Sequence, residues 1–119
     1  MFTEILSRLL QETPGARSAT VMGFDGIAIE SQDSADANGS EQSAAVELAA
    51  VSSQLKRAAE SLGVGDVREV TLDLDGQVTL LRPLTPEYLL ALTLAPGGYV
   101  GKGRYLMRIF APQITVELL

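Results

Sequence analysis

REVTLDLDGQVTLLRPLTPEYLLALTLA, residues 68–95, divides into three strands at Arg68–Leu74, Gln77–Pro83 and Tyr88–Ala95. β-Branched and apolar residues fill each run, and turn formers stand between them. Asp75-Gly76 predicts the first reversal as a two-residue hairpin turn with positive φ, which Asp tolerates and Gly adopts freely. Pro83-Leu84-Thr85-Pro86-Glu87 predicts the second. In the first strand Val70, Leu72 and Leu74 alternate with Glu69, Thr71 and Asp73, so one face is apolar and the other polar. The last strand is apolar on both faces apart from Thr93. A strand covered on both sides belongs in the middle of a sheet, and one with a charged face belongs near its rim. Tyr88–Ala95 is therefore expected at the centre and Arg68–Leu74 at an edge.

Toward the N-terminus, Ser18–Gly23 and Ile27–Ser31 flank Phe24-Asp25-Gly26, a second hairpin signal. The less apolar second member, ending near Glu30, suits the other edge. Phe2, Ile5, Leu6, Leu9 and Leu10 recur at helical spacing until Thr13-Pro14-Gly15 ends the pattern. The polar, acidic stretch Gln32–Ser40 is expected to be a mobile surface loop. Asn38 or Ser40 then caps a long helix over Glu41–Leu62, with Glu41 and Glu47 near its positive end.

Within that helix Leu48, Leu55 and Leu62 repeat every seven residues. Beside them run Ala44, Val51 and Ala58, then Ala45, Ser52 and Ala59. This stripe is wider than one sheet face requires. It fits either an Ala-rich core helix or a helix that also meets a partner, since small side chains permit close approach. Gly63 and Gly65 end it. Beyond the three strands, Pro96-Gly97-Gly98 turns the chain into a last helix patterned by Leu106, Ile109, Phe110, Ile114 and Leu118. Pro112 predicts a helix to Ala111 with a kinked or irregular continuation, because proline lacks an N–H and collides with the preceding turn. Ile114, Val116, Leu118 and Leu119 then need somewhere to dock.

The 119 residues make one domain, 1–119, large enough for its own core. The chain has no Cys and no His, which removes thiolate chemistry, the commonest metal ligands and the commonest general base. Net charge is −6, and Asp25, Glu30, Asp33, Asp36, Glu41 and Glu47 all fall between Arg17 and Lys56 with no basic residue among them. Such a surface repels phosphate backbones and anionic lipid, so no nucleic acid and no membrane is expected as partner. With no apolar run long enough to span a bilayer and no signal-like start, a soluble cytoplasmic protein is expected.

Gly97-Gly98-Tyr99-Val100-Gly101-Lys102-Gly103 invites a phosphate-loop reading, yet Pro96 stands where the first Gly belongs and Gly103 where a hydroxyl should hold magnesium. Asp73-Leu74-Asp75-Gly76 opens like a calcium loop but lacks the third acidic ligand and the closing glutamate. Hydroxyls without a His, and no lysine embedded in an apolar segment, offer no activated nucleophile. The expectation is a non-enzymatic protein with no catalytic residue, metal or cofactor.

The order helix, hairpin, long helix, three strands, helix resembles the Roadblock/dynein light chain family, and most nearly its bacterial MglB-type members. The matching stretches are Ala19–Ser31 (ATVMGFDGIAIES), Ala44–Leu62, the segment with Asp75-Gly76, Arg82-Pro83-Leu84 and Tyr88-Leu89-Leu90, and Gly103-Arg104-Tyr105-Leu106 with Pro112. The resemblance implies an α/β fold: a five-stranded sheet ordered 2-1-5-4-3, the long helix on one face and the terminal helices on the other. It implies a homodimer in which Glu69, Val70, Thr71, Leu72 and Asp73 pair with their own copy while Leu48, Val51, Ser52, Leu55 and Ala59 meet across a two-fold axis. It also implies a small Ras-like GTPase as partner, with the catalytic groups on the GTPase. A small-molecule sensor and a structural adaptor in a larger complex are the rival expectations. Some MglB-type proteins continue past the last helix into a tail, whereas this sequence stops at Leu119.

Overall fold

A computed structural model describes residues 2–35 and 44–119. Its elements are α1 (Thr3–Glu12), β1 (Ala16–Gly23), β2 (Ala28–Asp33), α2 (Ala44–Leu62), β3 (Val70–Asp73), β4 (Val78–Pro83), β5 (Tyr88–Leu94) and α3 (Val100–Leu118). The strands form one antiparallel sheet ordered β2-β1-β5-β4-β3, the order that the family resemblance implies, with the central and edge strands expected from their apolar content. β5 is central and buried along almost its whole length, and β3 is an edge.

Two apolar layers sandwich the sheet. On one face Phe2, just before α1, Leu6 and Leu9 of α1, and Leu106, Phe110 and Ile114 of α3 pack on Val21, Leu80, Leu90 and Leu92. On the other, Ala45 of α2 joins Met22, Leu81, Leu89 and Ala91, with Phe24, Leu48, Val70 and Leu72 packed around them. Alternation along each strand distributes these residues, because successive side chains point to opposite faces.

Four expectations need correction. Asp75 and Gly76 do not take positive φ, although Leu74 N donates to Gln77 O at 2.9 Å and closes the turn. The Phe24-Asp25-Gly26 turn does use it, at Gly26 (φ 88°), with Asp25 Oδ1 accepting from Ile27 N at 3.0 Å. β2 runs through Gln32 and Asp33, where a loop was expected, since Gln32 pairs with Ala19 and Asp33 with Ser18. Backbone pairing at an edge does not require apolar side chains.

The third correction is α3, which is one helix through Pro112 to Leu118 rather than ending at Ala111. Full burial of Ile114 against the sheet holds the segment after the proline in helical register. The fourth is Ile109, grouped with Leu106 and Phe110 by the sequence pattern but exposed on the opposite side of α3. Of the last hydrophobics, Ile114 and Leu118 dock on the core, whereas Val116 and Leu119 are exposed. α2 ends at Leu62, where Gly63 N donates to Ala59 O at 3.1 Å. The expected caps Asn38 and Ser40, and Glu41, lie outside the described residues. Among the described residues no helix is long and apolar enough to cross a membrane.

Candidate functional site

Among the described residues β3 pairs only with β4, in the register Val70↔Leu81, Thr71↔Leu80, Leu72↔Thr79 and Asp73↔Val78. The Leu74 N to Gln77 O bond makes that pair a hydrogen-bonded one. Antiparallel partners alternate between bonded and non-bonded pairs, so Leu72 and Val70 also direct their backbone groups at β4. Thr71 and Asp73 direct theirs the other way. The open edge therefore presents the N–H and C=O groups of Thr71 and Asp73. Neither proline nor lysine blunts β3.

The side chains of this strand are held by both layers. Val70 and Leu72 pack into the α2-side cluster. Glu69, just before β3, reaches the opposite face, where its Oε1 accepts from Arg104 Nε of α3 at 2.8 Å and from Nη2 of the same arginine. Its Oε2 lies 3.4 Å from Arg82 Nη1 of β4. This carboxylate bridging two arginines was not anticipated, and charges so far apart in the chain leave no local pattern to find it by.

α2 lies over the sheet with Ala45, Ala49 and Ser52 buried. The Phe24 turn sits on one flank of the helix, where Ser53 Oγ donates to Phe24 O at 3.4 Å. The other flank, with Leu48 and Leu55 half-buried and Val51 exposed, turns toward β4 and β3. Leu55 borders a small gap with Ser52, Val67, Val70 and Leu81. Thus Leu48, Val51, Leu55, Val70 and Leu72 are gathered on one side of the sheet near its open edge. Ser52 lies beneath them against the strands, and its hydroxyl finds no hydrogen-bond partner among the described residues. Ala59 stands apart, at a groove of about 390 Å³ bordered also by Phe24, Lys56, Val67, Leu84 and Pro86. Lys56 is committed there: its Nζ stacks 4.1 Å from the Phe24 ring centroid and donates to Pro86 O at 2.8 Å.

Comparison with known proteins follows the same outline. A family model described as Roadblock/LC7 domain matches residues 2–94. Among solved structures, MglC from Myxococcus xanthus is 37% identical, covers 98% of each chain and superposes with a TM-score of 0.73. A Roadblock/LC7 domain from Streptomyces avermitilis is 22% identical, spans 97% of this chain and 95% of its own, and gives a TM-score of 0.84. An MglB described with a tetrameric arrangement is 21% identical, spans 98% of this chain and 89% of its own, and gives 0.85. The last two show the fold alone. No curated protein matches the chain. With a family model spanning α1 through β5 and an MglC sharing more than a third of its residues, the chain belongs to the Roadblock/LC7 family.

Proposed function

We propose that this regulatory adaptor domain works as a homodimer that binds a small Ras-like GTPase and modulates its nucleotide cycle. The observation that carries the reading is the open β3 edge, with Thr71 and Asp73 offering backbone groups outward beside the apolar flank Leu48-Val51-Leu55 of α2. A two-fold axis there would continue the sheet from one copy into the other and bring the two α2 flanks together. Glu69, Val70 and Leu72 would set the strand's position, while Ser52, buried against the strands, and Ala59, at the separate groove, would lie outside the contact between the helices. The dimer would bury on the order of 1,500–2,500 Å² in total, the range of signalling and obligate interfaces. The GTPase would supply its own catalytic groups, and the paired helices and sheet would supply a platform.

The dimer is tested by light scattering at micromolar concentration, where a species of twice 12.6 kDa is expected and a 12.6 kDa species contradicts the reading. The partner is tested by affinity capture from the source cell with GDP or a GTP analogue added. A Ras-like GTPase retained in a nucleotide-dependent way supports the reading, and absence of any GTPase in both states refutes it.

A further inference from the structure

α3 is apolar on two opposite sides. Its inward face, including Leu106, Phe110 and Ile114, is buried on the sheet. At 100° per residue, Tyr105, Ile109, Pro112 and Val116 fall within one narrow arc on the outward side. All four are exposed; Tyr105, Ile109 and Val116 show 52%, 44% and 71% of their surface to solvent. A single exposed hydrophobic needs no explanation, but an aligned set along three turns of helix marks an interaction surface.

The charge around this stripe is opposite in sign to that of the chain. Lys102 and Arg108 flank it, with Arg104 beside them paired to Glu69, and the only acidic residue of α3 is Glu117 at its far end, in a protein of net charge −6. Arg108 lies with its guanidinium 5.7 Å from the centroid of the Tyr105 ring, within cation–π range. Beside the stripe opens a hollow of about 340 Å³ bordered by Arg82, Pro83, Leu84, Arg108 and Pro112. Pro112 has no N–H, so the Arg108 carbonyl is also left without its usual helical donor.

We propose that the outer face of α3 docks an acidic amphipathic helix of a partner protein, its apolar side on Tyr105, Ile109 and Val116 and its carboxylates toward Arg108 and Lys102. The spacing of four, three and four residues along the stripe is that of a helix seam into which a second helix packs at a shallow angle. Charge selects the occupant. A second α3 would bring only Glu117 to meet Lys102 and Arg108, and an extended anionic lipid surface would face the acidic remainder of the domain as well, which a single helix confined to this face would not. The face lies across the sheet from α2, so it stays open whether or not two copies join through β3.

The probe is a fluorescent helical peptide of about 15–20 residues with leucines at three- and four-residue spacing flanked by glutamates. A version with lysine for glutamate, and vesicles containing phosphatidylglycerol, complete the set. Saturable binding of the acidic peptide by fluorescence anisotropy is expected, weakening as salt rises. Ile109→Glu and Arg108→Glu should each weaken it about tenfold or more, the loss typical of a central contact. Val64→Glu, which alters an exposed apolar residue elsewhere, should leave it unchanged. Circular dichroism establishes that each variant is folded, and Tyr105→Ser replaces Ile109→Glu if the latter is not. Equal binding of both peptides, indifference to the α3 substitutions, or no saturable binding of the acidic peptide would overturn the proposal. Vesicle binding in place of peptide binding would overturn it in favour of a lipid surface. A monomer in light scattering would remove the dimer and leave this result standing.

Discussion

Thr71→Pro separates the open edge from the fold that supports it. Thr71 belongs to a non-bonded pair with Leu80, so its N–H points away from β4 and its loss removes no bond of the internal ladder. Proline should therefore be tolerated by the single chain, as it is at sheet edges generally. In a dimer paired two-fold about Leu72, Thr71 N–H of each copy would donate to Asp73 C=O of the other, and the reverse. The substitution would abolish two such bonds, because the symmetry repeats every change. At about 0.5–1.5 kcal/mol per net hydrogen bond, the loss is about 1–3 kcal/mol, or roughly a 5- to 150-fold rise in Kd. The pyrrolidine ring facing the neighbouring strand adds to this.

Sedimentation equilibrium across a concentration series reads the shift directly, and a thermal melt in the monomeric range reads the fold. Leu72→Pro is the contrasting variant. It removes a donor directed at Thr79, so it should lower the melting temperature of the single chain as well. An unchanged Kd for Thr71→Pro in a protein that is dimeric would place the interface elsewhere, whatever the stability of the variant.

Val51→Glu puts a carboxylate on the exposed flank of α2 and should weaken the dimer while leaving the melting temperature of the monomer nearly unchanged; sedimentation and thermal melts check both. Leu55→Glu, beside Val67, Val70 and Leu81, should lower both dimer affinity and fold stability, the latter by several kcal/mol in a denaturant titration. Gly15 has φ +89° and a Cβ there would stand 2.6 Å from Gly98 Cα, so Gly15→Ala should cost about 2–4 kcal/mol and lower the melting temperature by roughly 8–16 °C. Pro112→Ala restores an N–H within α3 and should raise stability by about 1–3 kcal/mol in the same titration.

The centre and the rims of the sheet were legible because the strands differ in how many of their faces are apolar, whereas the full strand order came only with the family resemblance. The charged alternation of Glu69, Thr71 and Asp73 marked a rim, and the unbroken run Leu89–Leu92 marked the centre. What the pattern missed has physical causes. Gln32 and Asp33 are polar on a strand whose pairing uses only backbone, so their side chains said nothing of it. The apolar positions of α3 spread around the helix, and a single sequence does not reveal that Ile114 faces the core while Ile109 faces water. The four-three-four spacing of Tyr105, Ile109, Pro112 and Val116 was nonetheless there to be read as a separate stripe. Pro112 was given more weight as a helix breaker than the buried anchor following it allows.

A short edge strand ordinarily frays, and fraying would add an ordering cost to any pairing across it. Here the rim is tied down from three directions: Val70 and Leu72 beneath α2, the Leu74–Gln77 bond at one end, and Glu69 between Arg82 and Arg104 at the other. These anchors use side chains and the turn, and leave the outward backbone groups of Thr71 and Asp73 unengaged by β4. The strand is thus held in the conformation that pairing would need before any second copy arrives. Glu69 is the member of this set that can be altered without touching the apolar layers. Because its side chain is about a third exposed, Glu69→Gln should change fold stability by no more than about 1 kcal/mol. Under the proposed dimer it should raise Kd through looser ordering of β3, visible as faster amide exchange at Val70 and Leu72. An unchanged exchange rate at those two amides would mean that the apolar contacts alone hold the rim, and that the arginine pair serves α3 rather than β3.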